Sequence, residues 1–315
     1  MTWALFPIAA MLFYVSGSYI QNYLVDTALP KKRAGALIIM HLPQMLLSIL
    51  LLFAAFGRTV FFLPLGNALG LILAGAINVV GSIYYYRALQ AGDTADVNIF
   101  GQISPILSLF FGIIILSESI TLEQGIGFAL IMLAICVVVF GGLKKRERKH
   151  LDFRVAALTI TSAFFSVLSD VVYACFVKGF TADIKLFARG FFFFQLGSAL
   201  TVTIIMICFV KWRKAVRTTF FRGRGHRRNF LAAIVDNLAF MMGEILYKFG
   251  LLIVPVVAMM TVVAKVASLF ISLFYTIFVG KIFPKFVHGK RLTHKDVVKY
   301  MIASVLIVAG IAFMN

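Results

Sequence analysis

The sequence predicts an all-α integral membrane protein with about ten transmembrane helices, arranged as two inverted five-helix repeats. Three observations carry that prediction. Of the 315 residues, 62% are hydrophobic, and the mean hydropathy is +0.99; soluble domains are only roughly half apolar. Apolar runs of about twenty residues recur along the chain, each long enough to cross the hydrocarbon layer as a helix, whereas barrel strands would alternate over about ten residues. The chain also repeats itself. LSLFFGIIILSESIT (107–121) resembles ISLFYTIFVGKIFPKFVHGKRLT (271–293), and upstream of these Tyr86-Arg87-Ala88-Leu89 echoes Tyr247-Lys248-Phe249-Gly250. An odd number of spans per copy makes the two halves cross the membrane in opposite senses.

In order, the spans fall near 2–25, 33–57, 66–90, 94–117, 121–142, 153–178, 187–210, 229–252, 256–280 and 296–314. The opening MTWALFPIAAMLFYVSG has no basic n-region and no small-residue cleavage site, so it is read as a retained span. The fourth span carries Asn98, Gln102 and Pro105 inside an apolar run, which is costly in lipid unless those groups face protein, water or a ligand. The hairpin SESITLEQG that follows is short and acidic, and Thr121 with Glu123 and Gln124 suits the start of the fifth helix. Breaks at 91–93 and 253–255 are thin, so a long kinked helix is the alternative at each. The repeats occupy 1–143 and 153–315, joined by a basic linker at 144–152.

The net charge of +18 sits mainly in short loops. Lys31, Lys32 and Arg33 follow the first span, Lys144 to Lys149 the fifth, Lys211 to Arg228 the seventh and Lys281 to Lys295 the ninth. All four are odd-numbered loops, and Lys178, Lys185 and Arg189 in the sixth only weaken the bias. Cations stay on the cytoplasmic side, so both termini are expected outside, in a multi-pass protein of the cytoplasmic (inner) cell membrane. Topology accounts for this charge better than nucleic acid, which is not an expected partner. The segment 211–229 reads as an interfacial anchor, with anionic lipid as its partner. Cys136, Cys175 and Cys208 lie inside apolar runs and read as packed thiols. HExxH, CxxC and GxxxxGK[ST] patterns are absent, so no metal, no cofactor and no ATP hydrolysis are expected.

A polar face on a membrane helix must turn inward. Such stripes are Tyr14, Ser18 and Asn22 in the first span, Asn78, Ser82 and Tyr85 in the third, and Asn98, Gln102 and Pro105 in the fourth. The second half answers with Ser162, Ser166, Ser169, Asp170 and Tyr173 in the sixth, Asp236, Gly243, Glu244, Tyr247 and Lys248 in the eighth, and Lys265 and Ser268 in the ninth. Spans five and ten are almost wholly apolar. A central cavity lined by spans 1, 3, 4, 6, 8 and 9 follows, with 5 and 10 as outer braces.

Lys265 stands first among the candidates, because a lysine inside a span costs roughly 2.5–3.5 kcal/mol on insertion scales unless paired or hydrated. Two readings stay open. In one, Lys265 and Glu244 form a buried pair that fixes helix register. In the other, Lys265 receives an anionic substrate group while Glu244 or Asp170 exchanges a proton. Glu244 and Lys248 stand four apart on one face and read as a local pair. Arg87 and Asp96 read as snorkelling span ends, His41 as a satisfied core histidine, Pro105 as a kink, and Gly66 with Gly70 as points of close helix approach.

The stretch RALQAGDTADVNIFGQISPILSLFFGIIILSESITLEQGIGFALIMLAI (87–135) resembles the pattern of EamA-type permeases of the drug/metabolite transporter superfamily. The resemblance rests on Ala88-Leu89, Pro105, Glu118, Thr121 and Gly125 or Gly127. It is weaker in the second copy, where Val266 or its neighbours replace the proline and Gly280-Lys281 the glutamate. It implies a secondary transporter with a central substrate cavity and alternating access, often exporting amino acids or other metabolites; basic cavity residues in relatives keep organic anions open. The expected substrate-binding residues are Lys265, Glu244, Asn98, Gln102, Tyr85, Asn78, Ser166, Tyr173, Tyr247 and Tyr14, with Asp170 and Glu244 as proton-coupling candidates. A homodimer is left open. The alternatives are a lipid-modifying membrane enzyme using Asp170, Glu244 and His41, and a scaffold or receptor docking through the basic loops.

Overall fold

The computed structural model describes residues 2–30, 33–92, 97, 100–142, 153–177, 183–223 and 225–275, together with 302, 303, 305, 306, 309, 310 and 313. Asn98, Asp96, the linker 144–152, the hairpin 281–295 and most of the expected tenth span therefore lie outside the described residues. What is described is all-helical, with no strand. The helices are α1 (Leu5–Tyr23), α2 (Leu42–Phe56), α3 (Leu65–Ala91), α4 (Ser104–Leu116), α5 (Leu122–Gly142), α6 (Phe153–Val177), α7 (Ile184–Cys208), α8 (Val210–Val216), α9 (His226–Ile253) and α10 (Val257–Phe274). Five helical stretches, 34–61, 65–91, 153–177, 184–208 and 226–253, are long and apolar enough to cross a membrane, and the apolar stretches 104–116, 122–137 and 257–272 are shorter.

The predicted ends reflect local chemistry. Gln124 N–H donates to Thr121 Oγ1 and Thr121 N–H donates to Gln124 Oε1, both at 3.2 Å. This reciprocal capping box satisfies two orphan donors at the start of α5. At 254–256 the chain leaves the helical region, with Val254 and Val256 extended around Pro255, so α9 and α10 are separate helices rather than one kinked rod. The α4 face bearing Ile106, Phe110, Ile113 and Ile114 is exposed, which in water would be a liability and in lipid is the expected outer surface.

Two features depart from the sequence reading. The second span begins as a 3₁₀-helix over Ala34–His41 before continuing as α2. The basic segment after α7 is helical rather than an open loop: α8 runs into a π-helical stretch at Arg217–Arg222. Trp212 on α8 stacks on Phe209 at 5.0 Å between ring centroids and lies against Gly35 of the 3₁₀-helix, where an added Cβ would stand 2.7 Å from the indole.

The core has two parts. One joins α4, α6, α7, α9 and α10 at the end where α9 gives way to α10; the other gathers residues of α3, the 3₁₀-helix and α8 at the end that carries the basic segment. Within this packing α3 lies most extensively against α6, as α1 does against α9, and α1 meets α10 as α4 meets α6. Small residues set the α3 contacts. A Cβ at Gly75 would stand 2.1 Å from the Phe194 carbonyl oxygen, one at Gly197 2.1 Å from that of Ile72, and one at Gly70 2.1 Å from the Phe176 ring. Gly66 has nothing within 4 Å, so close approach is realised at Gly70 and not at Gly66.

Candidate functional site

The site is built outward from α9, whose turn spacing puts Glu244 and Lys248 on one face. Glu244 is 4% exposed. Its Oε2 accepts a hydrogen bond from Gln195 Nε2 at 2.7 Å and its Oε1 one from Asn78 Nδ2 at 3.3 Å. Both partners are neutral amides. Lys248, 2% exposed, turns instead to α6, where its Nζ donates to Asp170 Oδ1 at 2.7 Å. The same ammonium lies 4.2 Å from the Phe194 ring centroid and 4.7 Å from that of Tyr173. The expected Glu244–Lys248 pair is therefore not formed. An ion pair and two ring faces satisfy the lysine better than a carboxylate already taken by two amides.

Lys265, on α10, is half-buried and makes no ion pair with any described residue. The Lys265–Glu244 pair of the packing reading is absent, because Glu244 is held by α3 and α7. The ammonium of Lys265 approaches Gly101, 3.7 Å from where a Cβ would stand there, and Asp170 is the carboxylate whose charge reaches it. Gly101 precedes a break: residues 102 and 103 form a turn before α4 starts at Ser104. Ser104 Oγ donates to the Gly101 carbonyl at 2.8 Å, and Pro105 occupies the first turn of α4, where its missing N–H is harmless. Ile103 keeps right-handed helical dihedrals, so the turn at 102–103 is where Pro105 interrupts the helical ladder. Gln102 sits in the break, buried.

Around these residues, the Tyr14 ring lies 6.3 Å from that of Tyr247. The Tyr173 hydroxyl and Gln195 Oε1 are buried with no hydrogen-bond partner among the described residues. Asn78, Gln195 and Glu244 thus form one group and Lys248, Asp170 and Tyr173 another, one turn apart along α9, with Lys265 within reach of the Asp170 charge. Gln195 and Lys248 are the members missing from the predicted site.

Other predicted lining residues do different work. Ser162 Oγ donates to the Gly81 carbonyl at 2.9 Å and Ser169 Oγ to the Ala74 carbonyl at 2.8 Å; both join α6 to α3 instead of facing a cavity. Ser166 packs against Gly81 at the same seam. Glu118, noted only for its place in a family pattern, accepts the Val257 N–H at 3.0 Å and 3.3 Å through its two oxygens. It thereby caps α10 with a carboxylate where the helix dipole favours one.

Tyr85 belongs to a second cluster nearer the basic end. Its ring meets that of Tyr86 edge-on at 5.8 Å. There His41 and Asp236, each 1% exposed, approach to 3.6 Å between Nε2 and Oδ2. Gln21 Nε2 donates to Asp236 Oδ1 at 3.0 Å, the Tyr86 hydroxyl meets His41 Nε2 at 2.7 Å, and Gln44 Oε1 meets Nδ1 at 3.2 Å. Tyr86 and Gln44 satisfy both ring nitrogens of His41, and a carboxylate almost two hundred residues away in sequence stands beside it. Closer still to the surface, Tyr23, Thr218, Thr219, Arg228 and Asn229 line a polar cleft of about 250 Å³, with the Arg228 guanidinium 5.3 Å from the Tyr23 ring centroid.

Comparison with known proteins agrees with this architecture. Residues 1–140 match the family model described as the EamA-like transporter family. One solved crystal structure aligns over 100% of this chain and 96% of its own with a TM-score of 0.66, at 14% identity, a likeness of fold alone. No curated protein matches the chain. Residues 1–140 are thus similar to the EamA-like transporter family, and the long apolar helices are those of a multi-pass membrane protein.

Proposed function

We propose that the protein is a secondary transporter that moves a small polar metabolite carrying an anionic group, an amino acid or an organic anion, by alternating access and with proton coupling or exchange. The observation that carries this reading is Lys265: a half-buried cation in a span, in no described ion pair, beside the break that opens α4. A helix interrupted near the middle of the membrane is a recurrent feature of substrate sites in inverted-repeat transporters, and a cation in no described ion pair beside it suits an anionic group. The Tyr173 hydroxyl and Gln195 Oε1, with no partner among the described residues, add polar groups for the same ligand.

The packing supports two inverted halves, 1–143 and 153–315, joined by the linker 144–152. Exchanging each span with the one five places on turns the α3–α6 contact into that of α9 with α1, and the α1–α10 contact into that of α6 with α4. In this reading the basic segment 211–228 lies on the cytoplasmic side of the inner membrane, held by anionic headgroups, and both termini lie outside. A homodimer is compatible with the apolar outer surface.

The test is purified protein in liposomes, assayed with labelled amino acids and organic anions with and without a pH gradient. Uptake or exchange of one of them is expected; no movement across a broad panel would overturn the proposal. In the same assay Asp170→Asn and Glu244→Gln separate proton coupling from exchange, since a coupling residue, once neutralised, leaves exchange and removes gradient-driven flux.

A further inference from the structure

We infer that His41 and Asp236 form an exchangeable-proton site that controls the 3₁₀-helix at residues 34–41. The inference rests on the transporter reading only for its purpose, since the site can be tested without any substrate.

The geometry leaves room for one mobile proton. Gln44 Oε1 is an acceptor, so His41 Nδ1 carries a hydrogen and donates to it. Nε2 then has a single lone pair, which accepts the Tyr86 hydroxyl at 2.7 Å. Asp236 Oδ2 waits 3.6 Å from the same nitrogen, too far for a hydrogen bond and close enough for an ion pair. A proton arriving at Nε2 forms an N–H bond there, displaces the Tyr86 hydroxyl as donor and turns His41 into a cation facing Asp236. Its departure restores the present arrangement. The pair changes by one positive charge and nothing else is consumed.

The groups facing Asp236 are few. From α1 comes Gln21; from the second span come His41 and Gln44; from α3 come Tyr85 and Tyr86. On its own helix the next carboxylate is Glu244, two turns on. Among the described residues no lysine or arginine pairs with Asp236, so the charge of the cluster is set by the proton. A static packing cluster would do as well with a fixed cation or with amides alone.

The proton acts on the start of the second span. His41 is the last residue of a 3₁₀-helix eight residues long, whereas such runs seldom exceed three or four residues and mark hinges or strain. All eight residues are buried. Asn237, the neighbour of Asp236, donates to the Met40 carbonyl at 2.7 Å, so α9 grips the end of this segment by backbone as well as by side chain. Drawing His41 toward Asp236 therefore acts on the point where 3₁₀ becomes α-helix.

Trp212 reports on the segment because its indole lies against Gly35. In a Trp3→Phe background, Trp212 emission is followed from pH 4 to 9 in lipid nanodiscs. A reversible one-proton step is expected. Asp236→Asn removes the facing charge and moves the midpoint down by at least one pH unit, a tenfold loss of proton affinity; His41→Gln removes the step; His226→Gln keeps it. Emission that stays flat in the unsubstituted site overturns the inference, and so does a step unchanged by Asp236→Asn or His41→Gln. The unsubstituted protein alone is decisive if either variant fails to fold. An absent step with intact flux removes this site and leaves the transporter standing; a clear step with no flux does the reverse.

Discussion

Lys248 and Lys265 both lie well inside helices of the second half, and they are treated oppositely. Lys248 is enclosed: a carboxylate at 2.7 Å and two aromatic faces take up its charge. Lys265 is half-buried, in no described ion pair, and lies beside the turn that precedes α4. Burial of a cation is costly in either setting. Where the fold meets that cost with its own groups the lysine is architecture; where it does not, a ligand is the natural partner.

Lys248→Met should have the largest effect on stability. It leaves Asp170 without its cation, and breaking a buried pair from one side typically costs about 3–5 kcal/mol. A clear fall in the melting temperature of the purified protein is expected, with much of it regained in the double variant Lys248→Met/Asp170→Asn. If Lys248→Met melts like the parent, the contrast between the lysines fails. Gly197→Leu is next: its side chain would start 2.1 Å from the Ile72 carbonyl oxygen, and overpacking of this kind costs about 1–3 kcal/mol. Gly66→Ala, with open space around it, should be nearly silent in the same melting assay. Thr121→Ala, which deletes half of the capping box on α5, should cost about 1 kcal/mol. These three set the scale on which Lys265→Met should register little, since no described protein group loses a partner.

Much of the fold was legible because it is written locally. Runs of about twenty apolar residues announce helices whatever surrounds them, Thr121 and Gln124 lie within one turn of each other, and Pro255 stops a helix by its own chemistry. The site was legible only by residue type. Periodicity placed Glu244 and Lys248 on one face but could not say that Lys248 turns to Asp170 and Glu244 to Gln195, since those partners sit on other helices. For the same reason Ser162 and Ser169 read as cavity residues, although an inward-facing serine serves equally well by donating to a neighbouring carbonyl. The 3₁₀-helix at 34–41 was invisible because its apolar pattern resembles that of an α-helix, and the pairing of His41 with Asp236 needs the third dimension.

The most direct measurement compares Lys265→Met with the parent at equal folded yield in liposomes, using whichever labelled amino acid or organic anion the parent carries. Loss of one charge-assisted contact to the substrate, about 1.5–3 kcal/mol, predicts a roughly ten- to hundred-fold fall in flux, with the melting temperature little changed. Parental flux from Lys265→Met would contradict the account at its centre.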